Sequence, residues 1–135
     1  MLFRSLIGIS SGATIGVDLE EAGRHAGRPL AVAERYFTEA ETHVLKQLPE
    51  DRVHEGFMRT WSCKEAIVKA SGLGIANQLC RFSVEANPDK PPALLSMPDN
   101  DHDESALSFV QPSDKRIAAV AVRQRRLKLQ GFTLV

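Results

Sequence analysis

Val53–Gly72, VHEGFMRTWSCKEAIVKASG, is the longest stretch with a helical period in this chain, and its two faces differ. At about 100° per residue, Cys63, Ala66, Ile67 and Ala70 form one tight apolar stripe suited to a core. The opposite face carries Trp61, Glu65, Val68 and Lys69. An aromatic and a Val beside a carboxylate and an ammonium fit a cleft wall better than a plain solvent-facing side. The ordinary alternatives are a packing contact for Trp61 and a Glu65–Lys69 i,i+4 ion pair worth about 0.2–0.5 kcal/mol. Lys64 is expected to one side, where an anion or water meets it. Gly72 and Gly74 follow as a stop signal, since a helix commonly ends where the backbone needs positive φ.

Working outward, Thr38 opens a T-x-x-E pattern with Glu41, the mark of a capping box, for a helix running to about Gln47. Leu30–Tyr36 has apolar residues at helical spacing, Pro49 and Asp51 mark a turn, and the polar Glu21–Pro29 reads as a loop. On the N-terminal side, Leu6–Ser10 and Thr14–Glu20 are short β-prone runs separated by Ser-Gly-Ala, which predicts a hairpin. On the C-terminal side, Phe82–Ala86, Leu94–Met97, Ala106–Val110 and Arg116–Arg123 read as strands, the last two joined by Gln-Pro-Ser-Asp. Strands, then helices, then a strand meander predict an α+β fold, with helices packed on a small antiparallel sheet. The 135 residues fit a single domain, 1–135.

Composition narrows the function classes. Hydrophobic residues make up 43% and charged residues 25%, as in an ordinary globule, and Lys plus Arg balances Asp plus Glu at 17 each. That neutrality argues against a protein built to bind nucleic acid by charge. The basic run Arg123–Lys128, RQRRLK, reads as a solvated strand edge that discourages sheet-to-sheet association. Cys63 and Cys80 lack metal-ligand spacing. The opening MLFRSLIGIS is too short for a membrane span and has no signal-peptide pattern, so the expected location is the cytoplasm. The acidic stretch Asp99–Glu104 lacks the glycine and final Glu spacing of a calcium loop and reads as a solvated loop.

Ile15-Gly16-Val17-Asp18-Leu19-Glu20 alternates like a strand. Ile15, Val17 and Leu19 are expected to face a core. Asp18 and Glu20 share the other face, roughly 6–7 Å apart at ~3.3 Å rise per residue. Two carboxylates at that separation repel unless a cation lies between them, and Mg²⁺ is a hard cation held by one or two carboxylates plus substrate phosphates. Gly16, on the same face, is expected to leave room for a ligand. An edge strand with an acidic outer face reads the same way from these six residues alone.

Taken together, I-G-V-D-L-E and, about 40 residues on, W-S-C-K-E-A-I-V-K resemble the signature of the 4′-phosphopantetheinyl transferases. Trp61 and the second acid, Glu20, are more similar to the Sfp-type branch than to the short holo-acyl-carrier-protein synthases. Arg35–Glu41 and the run Gly72-Leu73-Gly74-Ile75 with Leu79–Val84 resemble further segments of that family, so the likeness covers roughly residues 15–86.

The resemblance implies transfer of 4′-phosphopantetheine from coenzyme A to a serine of an apo acyl- or peptidyl-carrier protein, releasing 3′,5′-ADP. It implies Mg²⁺ (or Mn²⁺) held by Asp18, Glu20 and Glu65, and phosphate contacts from Lys64 and Lys69. Glu65 and Glu41 are the candidates for the base that takes the serine proton; for Glu41 the capping role competes. Catalytic roles thus fall on Glu65, Lys69 and Glu41. Sfp-type enzymes are about twice this length, with coenzyme A between two similar halves, and this chain corresponds to the C-terminal half. A homo-oligomer in which a second copy replaces the absent half is therefore expected. The alternative is a truncated or non-catalytic half-domain that binds metal or coenzyme A or pairs with a partner chain.

Overall fold

A computed structural model describes residues 5–24, 27–72, 79–97 and 105–132. The elements run β1 (Ile15–Glu21), α1 (Pro29–Tyr36), α2 (Glu39–Gln47), α3 (Glu50–Ser71), a 3₁₀ turn (Leu79–Arg81), β2 (Ser83–Val84), β3 (Leu94–Ser96), β4 (Ser105–Ser113) and β5 (Arg116–Arg123). One sheet has the order β1-β5-β4, both pairings antiparallel, and β2 pairs with β3 in a second. This is the α+β arrangement that the element order predicted.

Local chemistry explains the helix ends. Pro29 opens α1, where a missing N–H costs nothing. The Thr38 hydroxyl accepts from the Glu41 N–H, and the Glu41 carboxylate accepts from the Thr38 N–H, so the capping box is present on α2. The expected turn at Pro49 is the cap of α3, which begins at Glu50, earlier than Val53. Gly72 takes the left-handed conformation at φ 71° and closes the helix. Gly74 and Asp99–Glu104 lie outside the described residues.

Three expectations are corrected. The Leu6–Ser10 hairpin does not form: β1 pairs instead with β5 from the far end of the chain, Asp18 opposite Ala119. β5 is the buried central strand, Ala118–Val122, and offers β1 a full ladder. The N-terminal segment lies against β1 side chains, with Gly8 so near that a Cβ there would come within 2.7 Å of Val17. Second, the acidic face of β1 is the better buried one, while Ile15, Val17 and Leu19 are half-buried. Third, Gly16 leaves no room for a ligand. A Cβ there would sit 2.0 Å from the Ala66 carbonyl oxygen, because β1 packs backbone to backbone on α3.

α3 is consequently buried on both faces. Its stripe of Cys63, Ala66, Ile67 and Ala70 joins Phe82, Val84 and Ala119 in one apolar cluster, and Phe57 and Met58 join Ala33, Phe37 and Leu45 in another. Trp61 packs against both.

Candidate functional site

β1 and α3 together bring the acids and Lys69 into one interface. Asp18, 4% exposed, accepts at Oδ1 from Lys69 Nζ at 2.8 Å and at Oδ2 from Ser62 Oγ at 3.1 Å. Glu20, 7% exposed, accepts at Oε1 from Trp61 Nε1 at 3.1 Å and at Oε2 from Arg24 Nη1 at 2.9 Å. Glu65 lies one helical turn before Lys69, is 6% exposed, and joins no side-chain hydrogen bond or ion pair among the described residues. Residues 61, 62, 65 and 69 fall along one face of α3 because three- and four-residue steps superpose on a helix.

Crowding acids in a dry interface shifts them toward the neutral form. Burial, with the nearby Glu20 charge, pushes the Asp18 carboxyl up to about 6 against the pull of Lys69. Burial likewise raises Glu65, Lys69 opposing the shift and Glu20 adding to it.

The other two predicted site residues pair with each other elsewhere. Lys64, expected where an anion or water meets it, is fully buried. Its ammonium donates to both Glu41 oxygens, at 2.7 and 2.9 Å, and to the Phe82 carbonyl, with the Phe82 ring centroid 4.3 Å away. Burial lowers its pKa, and Glu41 works the other way. Glu41 also accepts from the Thr38 and Val84 N–H groups, so its oxygens are committed to the capping box and to joining α2, α3 and β2. Of the two roles expected of Glu41, capping is the one seen, in a carboxylate that is 2% exposed.

Two features of the site went unread in the sequence. Ser62, to which the motif assigns no role, anchors Asp18. Arg24, Arg28 and Arg35 line a cavity of about 440 Å³ with Tyr36 and Trp61. Tyr36 meets Trp61 edge-on, ring centroids 6.2 Å apart, and the Arg35 guanidinium lies 5.3 Å from the Tyr36 ring. The signal was there, two arginines before a short helix and one in its last turn, but only the fold turns them to one opening.

The donor chemistry suits a hard divalent cation: three buried carboxylates, mutually repelling, with Lys69 and Arg24 as their ion-pair partners among the described residues. As they stand, no three His, Cys, Asp or Glu side chains among the described residues gather closely enough to hold one. Asp18 and Glu20 are turned to their protein donors instead.

A strand carrying D-x-E laid on a helix carrying S-x-K-E-x-x-x-K is the arrangement of one family, and the chain belongs to it: residues 14–121 match the 4′-phosphopantetheinyl transferase superfamily. The chain is 36% identical to the 4′-phosphopantetheinyl transferase HetI of Nostoc over 118 residues, 87% of this chain and 47% of that protein. It is 35% identical to the 4′-phosphopantetheinyl transferase psf-1 of Bacillus pumilus, over 71% of this chain and 40% of that protein. It thus spans less than half the length of either. Among solved structures it resembles a holo-(acyl-carrier-protein) synthase from Bacillus anthracis in complex with CoA (3′,5′-ADP). The TM-score is 0.64 at 29% identity, with 82% of this chain and 95% of that chain covered. The holo-[acyl-carrier-protein] synthase of Neisseria meningitidis, 20% identical with a TM-score of 0.65, shows the same fold. Among the described residues no helix is long and apolar enough to cross a membrane.

Proposed function

We propose that this chain transfers 4′-phosphopantetheine from coenzyme A to a serine of an apo acyl- or peptidyl-carrier protein, releasing 3′,5′-ADP. The observation that carries this reading is the buried acid set on β1 and α3, with Lys69 among it and the arginine-lined cavity beside it. Asp18, Glu20 and Glu65 would hold Mg²⁺, or Mn²⁺, which when bound neutralises charge on the diphosphate.

The protein's own residues do the rest. Lys69 is 44% exposed at its side chain and can turn from Asp18 to a phosphate oxygen. Arg24, Arg28 and Arg35 draw the anionic diphosphate to the cavity, which suits a reaction that needs positioning and charge neutralisation more than covalent help. The serine oxygen forms a bond to the pantetheine-bearing phosphorus, the bond from that phosphorus to the bridging oxygen breaks, and 3′,5′-ADP leaves with the electron pair. Glu65 takes the serine proton, directly or through a water. Glu41 is reassigned to structure in this reading, and Lys64 reaches phosphate only if its pair with Glu41 opens.

The reading includes a single domain over 1–135, equivalent to the C-terminal half of a two-half enzyme and matched over 95% of a holo-(acyl-carrier-protein) synthase, working as a homo-oligomer in the cytoplasm. The rival is a half-domain without catalysis, favoured by one observation: Asp18 and Glu20 are both held by protein cations. Incubation with apo carrier protein, coenzyme A and Mg²⁺ followed by mass spectrometry of the carrier separates the two. A gain of one phosphopantetheine is expected. Asp18→Ala and Glu65→Ala are expected to lower transfer by at least ~10²-fold while the fold persists. No gain across several carriers, beside a working transferase, would leave the half-domain reading.

A further inference from the structure

Each of the two β1 acids has one partner of each kind. The first is a neutral donor fixed on α3 beneath the site: Ser62 on Asp18 and Trp61 on Glu20, each at 3.1 Å. The second is a cation on an exposed stem: Lys69, 44% exposed, on Asp18, and Arg24, 55% exposed, on Glu20. The neutral donors hold the carboxylates in place and the cations cancel their charge.

The two cations differ in what carries them. Lys69 stands on a 22-residue helix, one turn from Glu65. Arg24 stands in the turn after β1 and already lines the arginine cavity. Mg²⁺ binds its oxygen ligands at ~2.0–2.1 Å, so a cation at Glu20 Oε2 and a guanidinium 2.9 Å from that same oxygen repel strongly.

We propose that Arg24 is a displaceable counter-ion of the acid pair: its guanidinium occupies Glu20 Oε2 in the metal-free protein, and a divalent cation releases it toward the adjoining cavity. The inference rests on the reading that Asp18, Glu20 and Glu65 hold a divalent cation. It couples the two halves of the site. A metal that frees Arg24 from Glu20 leaves its guanidinium, on the wall it shares with Arg28 and Arg35, open to an anion, so metal and anion each favour the other's binding.

The test is metal affinity rather than turnover. The free-Mn²⁺ signal in electron paramagnetic resonance is followed as Mn²⁺ is added to the metal-stripped full chain and to Arg24→Gln, Arg24→Lys and Arg28→Gln. A half-exposed ion pair is worth at most about 1 kcal/mol, which at 1.4 kcal/mol per tenfold is about fivefold. Arg24→Gln is therefore expected to bind Mn²⁺ more than twofold and up to about fivefold tighter. Arg24→Lys is expected to stay near the unaltered chain, and Arg28→Gln, which removes the same charge without touching Glu20, to change affinity less than about twofold. Equal tightening in Arg24→Gln and Arg28→Gln, or none in either, overturns the proposal while leaving the metal site standing. Mn²⁺ bound by none of the four removes the metal site and the proposal with it.

A second readout needs no variant. Trp61 is the sole tryptophan and shares Glu20 with Arg24, so Mg²⁺ is expected to change its emission as the site fills. Saturation of the site with unchanged emission counts against any release at Glu20.

Discussion

Asp18 shows how one carboxylate can belong to a site at a cost to the fold. Burial raises its carboxyl to about 6 from the ordinary 3.8, despite Lys69 at 2.8 Å. The folded protein therefore holds this proton more tightly than the unfolded chain. Asp18 contributes most at low pH; its contribution falls as pH rises between about 4 and 6 and is flat above. The loss is on the order of 2–3 kcal/mol. In metal-free buffer, Asp18→Asn is expected to gain on the unaltered chain by that amount across the window, read by denaturant unfolding at several pH values. Parallel pH curves would show that Asp18 ionises without penalty. Legibility at this scale was mixed. D-x-E and S-x-K-E can be read as acids and a lysine in a pattern, whereas the Arg24 contact to Glu20 and the burial of Lys64 depend on which atoms close over them.

Between elements, two contacts carry most of the specificity. β1 lies on α3 so closely that Gly16 has no space for a side chain, its would-be Cβ 2.4 Å from the Ala70 nitrogen as well. Gly16→Ala must push strand from helix and is expected to cost about 1–3 kcal/mol by chemical denaturation. Because the same shift separates Asp18 from Lys69 and Ser62, transfer activity is expected to fall with it; full stability in the variant would mean that β1 is seated farther out. The second contact is the Lys64–Glu41 pair, fully buried on both sides. Lys64→Met leaves Glu41 charged without its cation and is expected to cost about 3–5 kcal/mol. Changing Glu41 to Leu as well is expected to restore only part, because the Thr38 and Val84 N–H groups then lose their acceptor. Full recovery in the double variant would show that those two hydrogen bonds are replaceable. The helix caps could be read ahead, since Thr38 and Glu41 are three residues apart; the Lys64 pair spans 23 residues and could not.

Over the whole molecule, one sheet face packs on α3, while on the other Val120 and Val122 are buried and Ile15 and Val17 are half-buried under the N-terminal segment, which leaves Ile7 and Ile9 exposed. A homo-oligomer that covers this apolar face is the expected state, and sedimentation equilibrium at micromolar concentration is expected to give a mass above one 14.9 kDa chain. A strictly single-chain mass would favour the half-domain reading. By itself the sequence determined the α+β class, the capping box that opens α2, the glycine stop of α3 and the residue types of the acid–lysine signature. These depend on local periodicity, capping and motif spacing, which the chain carries within a few residues. The tertiary structure alone decided that β1 pairs with β5 rather than with the N-terminal segment, and that its acids turn inward onto α3. It also decided that Lys64 and Glu41 neutralise each other inside, and that Arg24 stands guard on Glu20. Those outcomes are long-range competitions for burial and counter-charge, and they are settled by packing.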